Sequence, residues 1–170
     1  QAWRAAIGGL ILVAIFLLVF YRFLGVVAVA GLAIYAAFLY ATILLFNVTL
    51  TLPGFAGLVL TFGVAADANI VIFERIKEEV RAGKSVRAGI AAGYSKGFHT
   101  IIDANVVTAI TALVLFLVAT AGVKGFALML LIGTAISLVT AVFATRAMLG
   151  LLAGFRWFEN PAFMGAKGQQ

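Results

Sequence analysis

The chain has 170 residues, of which 65% are hydrophobic and only 11% charged, and its mean hydropathy is +1.19, so it carries more apolar surface than a water-soluble domain of this size can hide. Lipid can cover that surface, and the composition therefore specifies a membrane protein. The net charge of +6 includes no basic stripe interleaved with aromatics, which argues against nucleic acid as a partner, and the lack of cysteine excludes disulfides, thiolate catalysis and cysteine-held metals.

A membrane-crossing helix needs about 20 mostly apolar residues. Five runs meet that need, at 5–21, 24–46, 55–73, 100–120 and 126–152. The expected fold is all-α: a polytopic bundle of five transmembrane helices with a cytoplasmic loop at 74–99 and a cytoplasmic tail at 153–170. A tight turn at Arg22 separates the first two runs, and a Pro53-Gly54 turn opens the third. The first run is too long, and lacks the small-residue cleavage pattern, to be a signal peptide. Because the chain starts at Gln1, a longer parent protein is expected.

The 74–99 stretch begins as a charged helical extension with Glu74, Arg75, Lys77, Glu78, Glu79 and Arg81, and it breaks near Gly83. It resumes as a short amphipathic helix in which Val86, Ile90, Tyr94 and Phe98 recur every fourth residue, with Gly89, Gly93 and Gly97 at the same step. Small residues at that spacing allow close helix contact, and the apolar stripe suits a surface helix seated on the bundle.

Five crossings put the termini on opposite sides. One side would hold ten of the twelve basic residues, leaving only Arg4 and Lys124 on the other. The basic side is then cytoplasmic, with the N-terminus outside, the C-terminus cytoplasmic and anionic membrane lipids as neighbours. The Asn47-Val48-Thr49 sequon sits in too short an outer loop to be read as a glycosylation site.

Ionisable residues inside the spans carry the functional signal. Asp67 stands about 18 Å from the outer end of the third run, and Asp103 lies three residues into the fourth. Each opens the same triplet, Asp67-Ala68-Asn69 and Asp103-Ala104-Asn105. If the two helices pack antiparallel, both carboxyls come to comparable depth.

An aspartate at mid-span costs about 2.5–3.5 kcal/mol and is seldom left idle. Desolvation favours its neutral form, which suits a group that loads and releases a proton. The structural alternative is a carboxyl that hydrogen-bonds a neighbouring helix and never ionises. Gly63, Asp67 and Glu74 share one helical face, running from a close-packing glycine to the cytoplasmic mouth, whereas Asn69 points about 200° away and reads, like Asn105, as structural glue. His99 and Asp103, four apart, could relay a proton, although an interfacial histidine satisfied locally is the commoner outcome. Gly133, Ser137, Thr140, Ala144 and Thr145 line one flank of the fifth run and suit helix packing, and Arg146 reads as a snorkelling anchor. No phosphate loop, zinc-ligand cluster or nucleophilic triad is present, so no enzyme activity and no metal are expected.

The motif Gly63-Val64-Ala65-Ala66-Asp67-Ala68-Asn69, followed by Phe73-Glu74-Arg75-Ile76-Lys77-Glu78-Glu79, resembles the SecD/SecF protein-export family of the resistance-nodulation-division superfamily. The likeness continues through Thr49–Gly57, Gly93-Tyr94, Asp103-Ala104-Asn105, Lys124-Gly125-Phe126-Ala127 and Thr140-Ala141 to Thr145-Arg146-Ala147, and it favours the SecD half over SecF. The resemblance implies half of such a transmembrane domain, in the bacterial inner membrane. Its implied partners are SecF, the Sec translocon channel and preprotein substrates. The coupling ion would be the proton, with no other cofactor, driving late-stage preprotein translocation after the ATP-driven stage. It also implies the proton-responsive role for Asp67, while Asp103 falls on a second family motif.

The first span and large periplasmic domain typical of the family are absent from this stretch. Ala66 stands where valine is usual, and His99 where a small polar residue is usual. Two other readings stay open on residues alone: half of a proton-coupled efflux transporter for small molecules or lipids, and a membrane scaffold that transports nothing.

Overall fold

A computed structural model describes residues 2–154, and every regular element among them is helical. The order is α1 (Ala2–Leu45), α2 (Leu52–Arg81), α3 (Val86–Val118), α4 (Ala121–Thr140), a π-helical turn (Ala141–Thr145) and α5 (Arg146–Gly154). Among the described residues four helices are long and apolar enough to cross a membrane, Leu24–Leu45, Leu52–Arg81, Val86–Val118 and Ala121–Leu151, and Ile7–Arg22 forms a shorter apolar helix. The protein is thus membrane-embedded through an all-helical bundle. Most of the expected tail, with Arg156 and Lys167, lies outside the described residues.

α1 is two helices joined at Arg22, whose φ of 48° and ψ of −111° break the helix. In an unbroken helix residues 17 and 25 would stand about 12 Å apart. Here a Cβ on Gly25 would run into the Leu17 carbonyl and the Leu18 backbone, so the two segments fold back on each other and position 25 must be glycine.

At the second junction Pro53 and Gly54 do not form a turn. They belong to the first turn of α2, and Thr51 caps it by accepting a hydrogen bond from the Gly54 N–H at 3.2 Å. Proline suits that place because its missing N–H would have no helical partner there.

The expected helical extension and the break near Gly83 are present, but the amphipathic segment is not a separate surface helix. Residues 74–81 continue α2 and residues 86–99 begin α3, so the two helices extend each other's spans as one antiparallel hairpin. The reason lies in the glycines. Gly97 faces Ile72, Gly93 faces the backbone at Ile76, and Gly89 faces Val80, each without room for a side chain. The helix backbones therefore touch along the whole arm. Glu79, only 7% exposed, accepts from Lys84 and Lys96 at 2.5 Å each and ties the turn to both helices.

α4 packs on the outer half of α2 by the same device. Gly57 approaches the Phe126 carbonyl, and Gly133 lies hard against the Thr61 side chain. Two apolar clusters fill the bundle. One runs from Leu17 and Leu24 through Ile72, Phe73 and Ile76 to Leu149. The other centres on Tyr35, Leu39, Ala65 and Met129. The π-turn shifts the hydrogen-bond ladder of the last helix, and the Tyr94 hydroxyl donates to the Ala141 carbonyl there at 2.9 Å.

Candidate functional site

Asp67 lies on an exposed face of α2. Ala56, Leu60, Gly63 and Asp67 follow one another at helical spacing, all exposed, and the line continues through half-buried Val71 and Glu74 to exposed Glu78. Gly63 has nothing within 4 Å of where a side chain would begin, so among the described residues no helix of this chain packs against it. The opposite face of α2 explains this. Ala65, Ala68, Asn69 and Ile72 face inward, and a helix with one apolar stripe turned to its own bundle leaves the other side uncovered.

The hairpin register places the second carboxyl. With Ile72 opposite Gly97, Ile76 opposite Gly93 and Val80 opposite Gly89, Asp103 falls level with Ala66, one residue from Asp67. Asp67 stands about 140° around α2 from its contact line, and Asp103 about 120° around α3 from its own. In an antiparallel pair of right-handed helices these rotations turn both carboxyls to the same side. Asp103 is likewise exposed.

The inner end of this face holds a cluster that residue spacing did not single out. Lys77, only 6% exposed, sits 4.1 Å from the centre of the Tyr21 ring and 3.4 Å from Glu74 Oε1. Tyr21 in turn packs against Phe73 with ring centroids 5.9 Å apart. Tyr21 comes from α1, 56 positions before Lys77, so no local pattern could have joined them. The one available signal was a lysine four residues after Phe73 in an otherwise exposed-looking charge run.

The remaining candidates separate. Asn69 is buried, donates to the Ala65 carbonyl at 3.2 Å and accepts from Thr145 Oγ1 at 3.0 Å, which ties α2 to the π-turn. Asn105 is buried on the inner side of α3. His99 is exposed and turns its Nδ1 to the Ser95 carbonyl at 2.7 Å. No His99–Asp103 ion pair occurs among the described residues. Gly133 and Ser137 are buried at the α4 packing surface. Among the described residues no three His, Cys, Asp or Glu side chains converge as a metal site.

Glu79 lies in the charged arm, beyond the apolar run of α2. Hydrogen bonds from Lys84 and Lys96 hold its carboxyl down at about 2.

Residues 1–154 match the family described as protein export membrane protein SecD/SecF, C-terminal. The protein translocase subunit SecD of Acidaminococcus fermentans is 48% identical over 162 residues, covering 95% of this chain and 39% of that protein. The protein translocase subunit SecDF of Bacillus subtilis is 46% identical, over 92% of this chain and 21% of its own length. A crystal structure of SecDF from Thermus, described as a translocon-associated membrane protein, superposes with a TM-score of 0.86 at 40% identity, covering 89% of this chain and 21% of that one. The chain therefore spans well under half the length of these relatives. With the match running from residue 1 to 154 and the same helical arrangement in a solved relative, this chain belongs to the SecD/SecF family of protein export membrane proteins.

Proposed function

We propose that this chain is the SecD-type membrane half of a proton-driven protein-export subunit, with Asp67 as the group that changes protonation. In this reading it works with SecF and the Sec translocon channel in the bacterial inner membrane, its N-terminal end outside and its α2–α3 arm cytoplasmic. Protons are the coupling ion, and preproteins are the load.

The observation that carries the reading is the exposure of Asp67 at mid-helix, between Gly63 and Val71 on the uncovered face of α2. Hydrocarbon against a carboxylate at that depth would cost about 2.5–3.5 kcal/mol, so the face calls for a protein cover. A cover that moves alters how well the charged form is solvated, which couples proton uptake to helix arrangement. Asp103, level with Asp67 and turned to the same side, would feel the same cover. Glu74, Lys77 and Tyr21 form a polar inner end through which water and protons would reach it. Each charge moved through 100 mV is worth about 2.3 kcal/mol, so a few protons suffice for a modest conformational cycle.

The test is Asp67→Asn in the full export complex, assayed for preprotein translocation into vesicles with and without a proton gradient. Gradient-dependent export is expected to vanish while the ATP-driven stage persists. Normal gradient-dependent export by the variant would overturn the proposal.

A further inference from the structure

We propose that the cleft between α3 and α5 is a binding site for the headgroup of an anionic phospholipid. The cleft has a volume of about 510 Å³ and is lined by Arg87, Tyr94, Ser95 and Phe98 of α3 and by Arg146 and Leu149 of α5. Tyr94 and Phe98 stack with centroids 5.9 Å apart at 8°, and the Arg146 guanidinium lies 6.0 Å from the Tyr94 ring centre. The Tyr94 hydroxyl is fixed on the π-turn carbonyl of Ala141, so this wall is held rigidly.

The charge of the cleft is not balanced from within. No carboxylate lines it, and among the described residues Arg87 and Arg146 enter no ion pair. Glu74, Glu78 and Glu79 on the neighbouring arm are engaged by Lys77, by Arg75, and by Lys84 with Lys96. Two guanidinium groups left over suit phosphate oxygens, which they hold in a planar fork.

The surroundings select a lipid over a free anion. The exposed apolar stripe of Val139 and Phe143 leads along the last helix directly to Arg146. The cleft therefore opens onto the membrane-facing surface, and its aromatic and aliphatic floor suits the glycerol and first acyl carbons below a phosphate.

The intact chain, purified in mild detergent, would be titrated with phosphatidylglycerol and with phosphatidylcholine and its bound lipids counted by native mass spectrometry. Wild type is expected to prefer phosphatidylglycerol roughly twenty-fold. Arg87→Gln with Arg146→Gln should abolish that preference, whereas Lys124→Gln at the opposite end should keep it. Both arginines are exposed, so the double variant should melt like wild type. Arg87→Lys with Arg146→Lys should retain a reduced preference, since charge survives without the fork. No preference in wild type, or full preference in the double Gln variant, would overturn the assignment. So would displacement of phosphatidylglycerol by inorganic phosphate, which would make the cleft a small-anion site.

Discussion

Thr145 Oγ1 donates to Asn69 Oδ1 at 3.0 Å, with both residues buried and 76 positions apart in the chain. Asn69 also donates to the Ala65 carbonyl, and Gly31 of α1 leaves room beside its amide. One amide thus ties α2 to the π-turn, with Gly31 of α1 close beside it, two residues from the carboxyl that faces outward. The pair holds Asp67 in place from behind.

Breaking that pair should cost measurable stability. Thr145→Val and Asn69→Leu are each expected to destabilise the purified protein by about 1–2 kcal/mol. Their coupling in a double-mutant cycle should be about 0.6–1.7 kcal/mol, the range for hydrogen bonds between membrane helices. Thermal unfolding in detergent reads both values, and strict additivity would show that the bond contributes nothing.

Glycines that look alike in the sequence should behave differently. A Cβ on Gly93 meets the Ile76 and Arg75 backbone, so Gly93→Ala should cost about 1–3 kcal/mol through overpacking. Gly122 has open space, and Gly122→Ala should be neutral or slightly stabilising. Melting temperatures of the two variants separate these outcomes.

Gly63→Leu tests whether the face of Asp67 is covered by another protein body. With nothing within 4 Å at Gly63, the isolated chain should keep its stability to within about 0.5 kcal/mol. In the export complex the same variant should abolish gradient-dependent translocation by blocking close approach. Normal export would show that no helix packs there.

The Glu79 clamp predicts an acid-sensitive arm. Its carboxyl is lowered from 4.5 to about 2 by Lys84 and Lys96, so the folded state binds its proton less readily than the unfolded chain does. The stabilisation is complete above 4.5 and is lost as pH falls towards 2. Glu79→Gln should melt below wild type at neutral pH, and the two curves should converge across that window. Parallel curves down to the lowest pH would contradict the clamp.

Tyr94→Phe removes the donor to the π-turn carbonyl and should cost about 1 kcal/mol. Amide hydrogen exchange should accelerate around residues 141–145 while the α2–α3 arm stays protected. An unchanged exchange pattern would show that the turn holds itself.

Much of the site was legible because polar residues are conspicuous in apolar runs. Asp67, Gly63 and Glu74 share a face by helical arithmetic alone, and Asn69 points elsewhere for the same reason. The charged extension of α2 and the break at Gly83 are legible in the sequence, whereas the continuity of residues 86–99 with α3 is not. A helix leaves the membrane without stopping when another helix covers it, and Gly89, Gly93 and Gly97 supply that cover by letting α2 approach. Likewise His99 turned to its own helix carbonyl, since a ring four residues from a carboxylate has a nearer acceptor one turn back.

By itself the sequence determined that this chain lies in a membrane, how many apolar helices it forms and which of its carboxylates sit inside them, because hydropathy and helical period are local properties. Only the tertiary structure decided that Asp67 and Asp103 stand level on one uncovered side, that Lys77 and Tyr21 meet beside Glu74, and that Thr145 anchors Asn69. Those relations depend on the register and rotation of helices far apart in the chain. Backbone contact at a few glycines sets both.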